Sequence, residues 1–106
     1  MINRIIEAAG LNCRKSRFLK PPAGTYGVYM DDITTDGPDN MVSLYEHSIT
    51  LELYEPAPDD AMEAAVEAAI TAEGLQWEKQ DRYWLQEEQR YQVVYEFDYI
   101  EKRRRS

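Results

Sequence analysis

The sequence contains a single cysteine and a single histidine, and this scarcity excludes several kinds of site. One cysteine, Cys13, permits no internal disulfide and is typical of a reducing compartment. His47 has no second histidine or nearby cysteine with which to complete a zinc spacing. We expect it to occupy a half-buried, hydrogen-bonded strand position. A catalytic Cys13–His47 pair stays open, supported only by Arg14 and Lys15, whose charges would lower the pKa of the thiol.

Long apolar runs and glycine-rich loops are also missing. No run approaches the roughly 20 residues of a membrane span, and the first 12 residues lack the apolar core of a signal peptide. There is no phosphate-binding loop and no nucleophile elbow. Adjacent carboxylates at 31–32, 59–60 and 87–88 fall in predicted turns or at a helix cap, not in a water-poor pocket. We therefore expect no membrane association, no cofactor, no metal and no catalysis.

Charge is abundant but uneven in this chain of 106 residues, whose formal net charge is −8. The segment around 11–22 is a basic arm, and 102–106 is a basic tail. The body between them is strongly acidic, which disfavours specific nucleic-acid binding because carboxylates repel phosphates. A contact between the basic end of one copy and the acidic body of the next is physically plausible. The length and composition predict one domain over residues 1–106.

Two helices are predicted from apolar residues at helical spacing. The first begins at Ile2 and ends before Gly10, a residue suited to a C-terminal cap. The second follows Pro58, carries an alanine-rich stripe and ends at Gly74. We expect a capping box from Asp60 to Glu63, since an acidic residue three positions after the cap can close it.

Strands are predicted from alternation of apolar and polar residues over 26–31, 41–55 and 90–101, with a hairpin partner over 75–85 that turns near 87–88. Short connections imply antiparallel pairing, so the fold class is α+β: an antiparallel twisted sheet with two helices packed on one face, a two-layer sandwich. Val93, Tyr95 and Phe97 are assigned to the core. Tyr83, Tyr91, Tyr99 and Ile100, near strand ends or on the other face, are candidates for subunit contact.

Residues 31–40 concentrate Asp, Gly, Pro and Asn and predict an exposed loop. Asp32, Thr34 and Asp36 match the first half of a calcium-binding EF-hand loop. The match then fails, because Pro38 and Ser43 occupy later ligand positions, and the flanking segments are strands. A solvated turn is favoured over a metal site.

With these patterns in place, the chain resembles tail terminator or tail completion proteins, the head–tail joining proteins of long-tailed bacteriophages and prophages. The resemblance spans nearly the whole length and lies in FLKPP, TYGVYMDD, YEHSITLELYEPAPD, the alanine-rich helix and the segment from Trp77 to Lys102. It implies a non-enzymatic protein that forms a ring, possibly a hexamer, on the tail tube. Its expected partners are further copies of itself, the tail-tube protein and head completion proteins. The expected location is the bacterial host cytoplasm during assembly and then the head–tail junction of the virion.

A closed ring needs a head-to-tail contact between copies. In the ring hypothesis the basic arm, with Arg14, Arg17 and Lys20, meets an acidic face such as Glu63 and Glu67 of the neighbour. DNA would pass through an acidic lumen without binding tightly. An alternative function is an acidic DNA mimic that inhibits a host nucleic-acid-binding protein through the carboxylates of residues 59–73 and 31–39. A small enzyme using Cys13 or a carboxylate pair is a further alternative.

Overall fold

The computed structural model describes residues 1–36 and 42–104. Within these ranges the chain forms two helices and six strands. In chain order they are α1 (Ile2–Ala9), β1 (Cys13–Lys15), β2 (Tyr26–Asp36), β3 (Val42–Glu55), α2 (Asp60–Ala72), β4 (Glu78–Lys79), β5 (Tyr83–Leu85) and β6 (Arg90–Arg104). None of the helices in the described part is long and apolar enough to cross a membrane.

The six strands form one sheet in the order β1-β2-β3-β6-β4, with β5 also paired to β6. All pairs are antiparallel except β1 with β2, so the predicted α+β class is confirmed. The long central strands β3 and β6 pair from Glu55 opposite Tyr91 to Val42 opposite Arg104. This long strand pair forms the centre of the sheet.

One face of the sheet carries the core, as the alternation predicts. Leu51 and Leu53 on β3 and Val93 and Tyr95 on β6 are fully buried against the two helices. Phe97 is 4% exposed, so the assignment of 93, 95 and 97 to the core is confirmed. Burying side chains of this size stabilises the fold by about 2 kcal/mol each. We call this the core face and the opposite side the outer face.

The predicted C-terminal cap of α1 is confirmed, whereas the predicted capping box of α2 is wrong. Gly10 caps α1 in the left-handed conformation at φ 69°, as expected. The N-cap of α2 is Asp59, whose carboxylate accepts from the Met62 N–H at 3.0 Å. The expected Asp60–Glu63 capping box is therefore wrong by one residue, because Glu63 turns inward to cations from the following segment instead.

The predicted loop over 31–40 and the predicted strand over 75–85 also differ from the structure. Residues 31–36 belong to β2 and not to a loop, since each pairs with a residue of β3, from Asp31 opposite Ile49 to Asp36 opposite Leu44. The calcium-loop pattern thus begins inside a strand, and its residues 37–41 lie outside the described ranges. The predicted strand over 75–85 is two short strands, β4 and β5, separated by residues 80–82.

The two ends of the sheet are covered unequally. Near the start of β2 and β6, β1 pairs with residues 27–29 on one edge, while β4 and β5 pair with residues 90–96 on the other. Beyond these contacts β2, β3 and β6 continue together as a three-stranded ribbon. We call residues 31–36, 42–49 and 97–104 the distal end of the sheet. The long strands give the molecule principal extents of 49 × 28 × 22 Å.

Candidate subunit and partner interface

The basic arm contains β1, and its part after β1 lies over the outer face. The Phe18 ring packs edge-on against Tyr26 at 5.2 Å between centroids, and the Arg14 guanidinium lies 5.4 Å from the Phe18 ring centre. Leu19 is 91% exposed. Arg17 and Lys20 are exposed, and neither forms an ion pair within residues 1–36 and 42–104. The arm therefore presents positive charge and one apolar side chain to solvent.

Arg90, at the start of β6, holds this arm in place. Its guanidinium donates to the carbonyl oxygens of Pro22 at 2.7 Å, Gly24 at 2.8 Å and Ala23 at 3.0 Å. It also lies 5.1 Å from the centre of the Tyr26 ring. The planar fork of arginine suits this multiple contact, because its donors point to several acceptors at once. The arm is thus fixed to the body by a residue about 70 positions later in the chain.

Glu63 and Glu67, expected to meet a neighbour's arm, are engaged within their own chain. Glu63 is 4% exposed and binds Lys79 at 2.8 Å and Arg82 at 2.7 Å. Glu67 binds Lys79 at 2.8 Å and accepts from the Tyr95 hydroxyl at 2.6 Å. Their placement does not support the proposed contact with a basic arm. These groups instead fasten the segment after α2 onto the helix.

The remaining carboxylates of α2 and its flanks are paired as well. Asp60 binds Arg82 at 2.7 Å, and Glu73 binds Arg4 at 2.7 Å. Asp59 caps the helix and accepts from the Thr25 hydroxyl at 2.7 Å. A DNA mimic needs carboxylates that are free to replace phosphates. This arrangement therefore does not favour the DNA-mimic alternative.

Glu55 is the unusual member of this ionic cluster. It is fully buried at the end of β3, and its Oε2 has no hydrogen-bond partner in the described chain. Burial, together with the adjacent Glu63 carboxyl group, raises the pKa of Glu55 to about 7. Burial acts to raise the pKa of Glu63 too, but its hydrogen bonds with Lys79, Glu55 and Arg82 lower it to about 2. The pair therefore carries one shared negative charge below neutral pH.

His47 ties the three long strands together on the core face. Its Nδ1 lies 2.8 Å from an Asp31 carboxylate oxygen on β2, and its Nε2 lies 2.9 Å from Glu101 on β6. The ring stacks on Tyr99 at 4.4 Å between centroids. Desolvation acts to lower the pKa of His47, yet the hydrogen bonds and charges of the two carboxylates outweigh it and raise the pKa. The expectation of a hydrogen-bonded strand histidine is confirmed, and it is more deeply buried than expected, at 5% exposure.

The predicted contact tyrosines do not form one surface. Tyr83 is 65% exposed on β5, and Tyr91 is half-buried on β6 beside it, packed against Trp84 at 4.8 Å between ring centroids. Tyr99 lies eight residues further along β6, about 26 Å away in a strand, where it covers His47. Tyr83 pairs with Gln92 and so lies on the outer face, whereas Tyr91 pairs with Trp84 on the core face, so the three tyrosines lie at separate places.

Cys13 has none of the properties of a nucleophile. Burial raises the pKa of its thiol to about 12, contrary to the expectation that Arg14 and Lys15 lower it. Cys13 pairs with Gly27, whereas His47 pairs with Ile33, six residues further along β2 and about 20 Å away. The Cys13–His47 dyad is therefore excluded by geometry.

The outer face carries a polar groove of about 420 Å³ beside β4. Ser48, Thr50, Glu96 and Asp98 form its floor, and Glu78 lies directly opposite Glu96 on β4. Facing carboxylates repel one another and attract cationic groups. No group of histidine, cysteine and carboxylate side chains in the described ranges has an arrangement that could hold a metal ion. The groove thus contributes negative potential to this face.

Both edges of the distal end are uncovered in the described chain. The Gly27 N–H donates to Asn12 and the Tyr29 carbonyl accepts from Ser16, so odd-numbered residues of β2 direct their backbone groups away from β3. The Val94 carbonyl accepts from Gln80, so even-numbered residues of β6 do the same. Alternation along a strand extends this orientation to residues 31, 33 and 35 and to residues 98, 100 and 102. No strand among residues 1–36 and 42–104 pairs with these two segments from outside.

Several of these features were not recognisable in the sequence. The ion pairs of Arg82 and Lys79, the Asp31–His47–Glu101 contacts and the Arg90 clamp join residues between 12 and 68 positions apart. Side-chain pairs across such separations leave no periodic pattern. One signal in the sequence does point to the distal end. The alternation that predicts β6 continues to Glu101, past the residues 93–97 assigned to the core.

Comparison with known proteins yields a fold relationship. No protein-family model matches the chain, and no curated protein matches it significantly. Among solved structures, a chain of the "Virion of native gene transfer agent (GTA) particle" matches with a TM-score of 0.55 and 16% identity. The match covers 89% of this chain and 81% of the other. The protein thus shares its α+β fold with a chain of this gene transfer agent particle.

Proposed function

We propose that this protein is a virion morphogenesis protein of a tailed phage or prophage that acts at the head–tail junction. In this function it forms a ring, caps the tail tube and offers a surface to head completion proteins, without performing a reaction. The observation that carries the proposal is the fold match to a chain of a virion particle, because it spans most of both chains. The resemblance of the sequence to tail terminators supports the particular position.

The placement of the ionisable side chains also supports a structural role. The clusters around Glu63 and His47 join separate elements of the chain, as a rigid building block requires. The exposed features are of the kind that mediates contact: the arm with Arg17 and Lys20, the Tyr83 ring and the distal strand edges. Contacts of this kind between copies and with neighbouring virion proteins constitute the proposed activity.

The part of the outer face that lies beyond the basic arm suits the lumen of such a ring. Asp32, Glu46, Glu96 and Asp98 project from this face and are exposed. Carboxylates repel the phosphate backbone, so DNA passing the ring would not bind tightly. In this arrangement the core face with its helices forms the outside of the ring, where Arg4 and Glu73 lie.

The test is a premature stop codon in the gene within the phage or prophage that carries it, followed by electron microscopy of the lysate. We expect DNA-filled heads without tails and tail tubes of irregular length, because an uncapped tube continues to grow. Supplying the wild-type protein from a plasmid should restore normal particles and serves as the control. Normal, infectious particles without the protein would refute the proposed function.

A further inference from the structure

The distal end of the sheet has two uncovered edges that belong to opposite sides of the same chain. On β2, residues 31, 33 and 35 direct N–H and C=O groups outward, and on β6 residues 98, 100 and 102 do so. Ile33 is 42% exposed and Ile100 is 64% exposed. An exposed strand edge with apolar side chains is a template for pairing with another strand.

We propose that the distal edge of β6 in one copy pairs with the distal edge of β2 in the next copy, so that the sheet continues from subunit to subunit. This inference rests on the ring of the proposed function and names the surface that closes it. The occupant of each edge is a second copy of this chain. Backbone hydrogen bonds supply the affinity, and the charges of the two segments select the partner.

Charge distinguishes the β6–β2 contact from a symmetric contact, in which two identical edges pair with each other. In the described part of β2, residues 31–35 include Asp31 and Asp32 and no basic residue, whereas residues 97–102 of β6 include Lys102 in addition to Asp98 and Glu101. Pairing β2 with β2 would bring only acidic side chains together, which destabilises a strand pair. Pairing β2 with β6 instead offers the aspartates of β2 a basic side chain, Lys102. The contact is therefore head-to-tail, the type that produces rings.

The strand directions fit a closed ring. Both β2 and β6 are antiparallel to β3, so they run in the same direction. Copies related by rotation about an axis along the strands would therefore place β2 parallel to the neighbouring β6. Residues 27–29 of β2 are already paired with β1, and residues 90–96 of β6 with β4 and β5. The outward backbone groups of β2 and β6 are therefore available to a further strand at the distal end.

Proline substitutions test the edges separately. Proline at position 33 or 100 removes an outward N–H and keeps the ladder to β3, which an edge strand tolerates. We expect Ile33→Pro and Ile100→Pro each to weaken self-association by at least about tenfold, measured by native mass spectrometry and sedimentation velocity at high protein concentration and low salt. Ile33→Ala and Ile100→Ala control for loss of the side chain. Thr34→Pro, which removes a bond to β3, should lower the melting temperature far more than Ile33→Pro.

Amide exchange provides a second measurement that needs no substitution. On concentrating the wild-type protein, the amides of Ile33, Thr35 and Ile100 should gain protection, while that of Thr34 is protected throughout. Oligomers that persist in both proline variants, or no alternating gain of protection, would overturn the pairing. A wild-type chain that stays monomeric at high concentration would overturn it as well.

The two proposals fail in distinguishable ways. If the proline variants still assemble but the stop codon abolishes tail capping, the function holds and the mode of pairing is wrong. If the variants lose the oligomer while particles form normally without the protein, the pairing holds and the function is wrong.

Discussion

At the scale of single residues, the core face of β3 carries two buried ionisable side chains with opposite electrostatic surroundings. His47 lies between two carboxylates, so its charged form is stabilised. Glu55 lies beside Glu63, so its neutral form is stabilised. The alternation of the sequence predicts that position 47 faces the core. It does not predict the partners, because these come from β2 and β6.

The titration of His47 is the first prediction. A neutral imidazole has one N–H and cannot donate to both Asp31 and Glu101, so the doubly protonated form is favoured. We expect its pKa to lie above the ordinary value of 6.5, and Asp31→Asn to lower it. Because His47 is the only histidine, one NMR titration of its ring signals measures this. Asp32→Asn, on the opposite face, should leave it unchanged.

The same shift has a consequence for stability. Since the folded-state pKa is raised, the stabilisation from His47 is fully present below about 6.5 and is lost as the pH rises through the folded-state value. A measured pKa of His47 at or below its value in an unfolded peptide would contradict the contacts with Asp31 and Glu101. The affected region is the distal end, which His47 joins across three strands.

Glu55→Gln is the second prediction. The folded-state pKa of about 7 is above the ordinary 4.5, so the folded chain binds more protons in this window and loses stability as the pH rises from 4.5 to 7. Glutamine mimics the neutral form. We expect it to raise the free energy of unfolding by about 1–3 kcal/mol at pH 8 and to change it little at pH 5. Urea denaturation at both pH values measures this.

A matched control is Glu46→Gln, which neutralises an exposed carboxylate on the same strand. It should have little effect at either pH. Equal effects of Glu55→Gln at pH 5 and pH 8 would contradict a titration of Glu55 in this range.

At the scale of elements, the sequence correctly predicts the helices and strands whose formation depends on residues close together in the chain. Helix α1 with its Gly10 cap, the apolar stripe of α2 and the buried alternation of β3 and β6 all arise from local spacing, and all are confirmed. The wrong loop over 31–36 shows the limit. Aspartate and threonine favour turns in isolation, but β3 supplies a partner strand whose ladder outweighs that preference.

Prediction of the interface residues from the sequence has the same limit. The exposed Arg17, Lys20 and Tyr83 could be identified from charge and strand position, whereas Glu63 could not be recognised as buried. Its burial depends on Lys79 and Arg82, which reach it from beyond the end of the helix. Such contacts are decided by the packing of elements and not by their individual patterns.

The arm gives the third prediction. Arg90 donates to three consecutive carbonyls of residues 22–24, so Arg90→Ala should release the arm. Loss of hydrogen bonds to a charged group should lower the free energy of unfolding by about 1–3 kcal/mol. It should also speed chymotrypsin cleavage after Phe18 and Leu19. Lys20→Ala, a basic residue without an ion pair in the described chain, is the control, and equal cleavage of the two variants would contradict the clamp.

At the scale of the whole molecule, the uneven coverage of the sheet separates a fastened end from an open one. The fastened end contains the helices, the arm and the short strands. Of the strands described in residues 1–36 and 42–104, β2, β3 and β6 alone reach the open end, and they extend to give a long axis of 49 Å. Among the described side chains of this open end, β2 carries Asp31 and Asp32 and no basic residue, whereas β6 carries Lys102 near its end.

This division gives the fourth prediction. Asp32→Lys should weaken self-association at low salt by about fivefold, roughly 1 kcal/mol, and should have little effect at 1 M salt, where charges are screened within about 3 Å. Glu87→Lys makes the same change in net charge in an exposed turn and should leave association unaffected. Sedimentation velocity at both salt concentrations distinguishes them. Equal weakening by the two variants would show that net repulsion, and not the β2 edge, controls assembly.

The half-buried thiol of Cys13 makes this chain convenient for site-specific labelling. Desolvation raises the pKa of this thiol to about 12, so the reactive thiolate is scarce at pH 7 and maleimide reagents should react with it slowly. A cysteine introduced on the exposed Thr35 or Lys102 could be modified selectively without removing the native one. Fluorophores or spin labels at these two positions would then report the distance between adjoining subunits of the proposed ring directly.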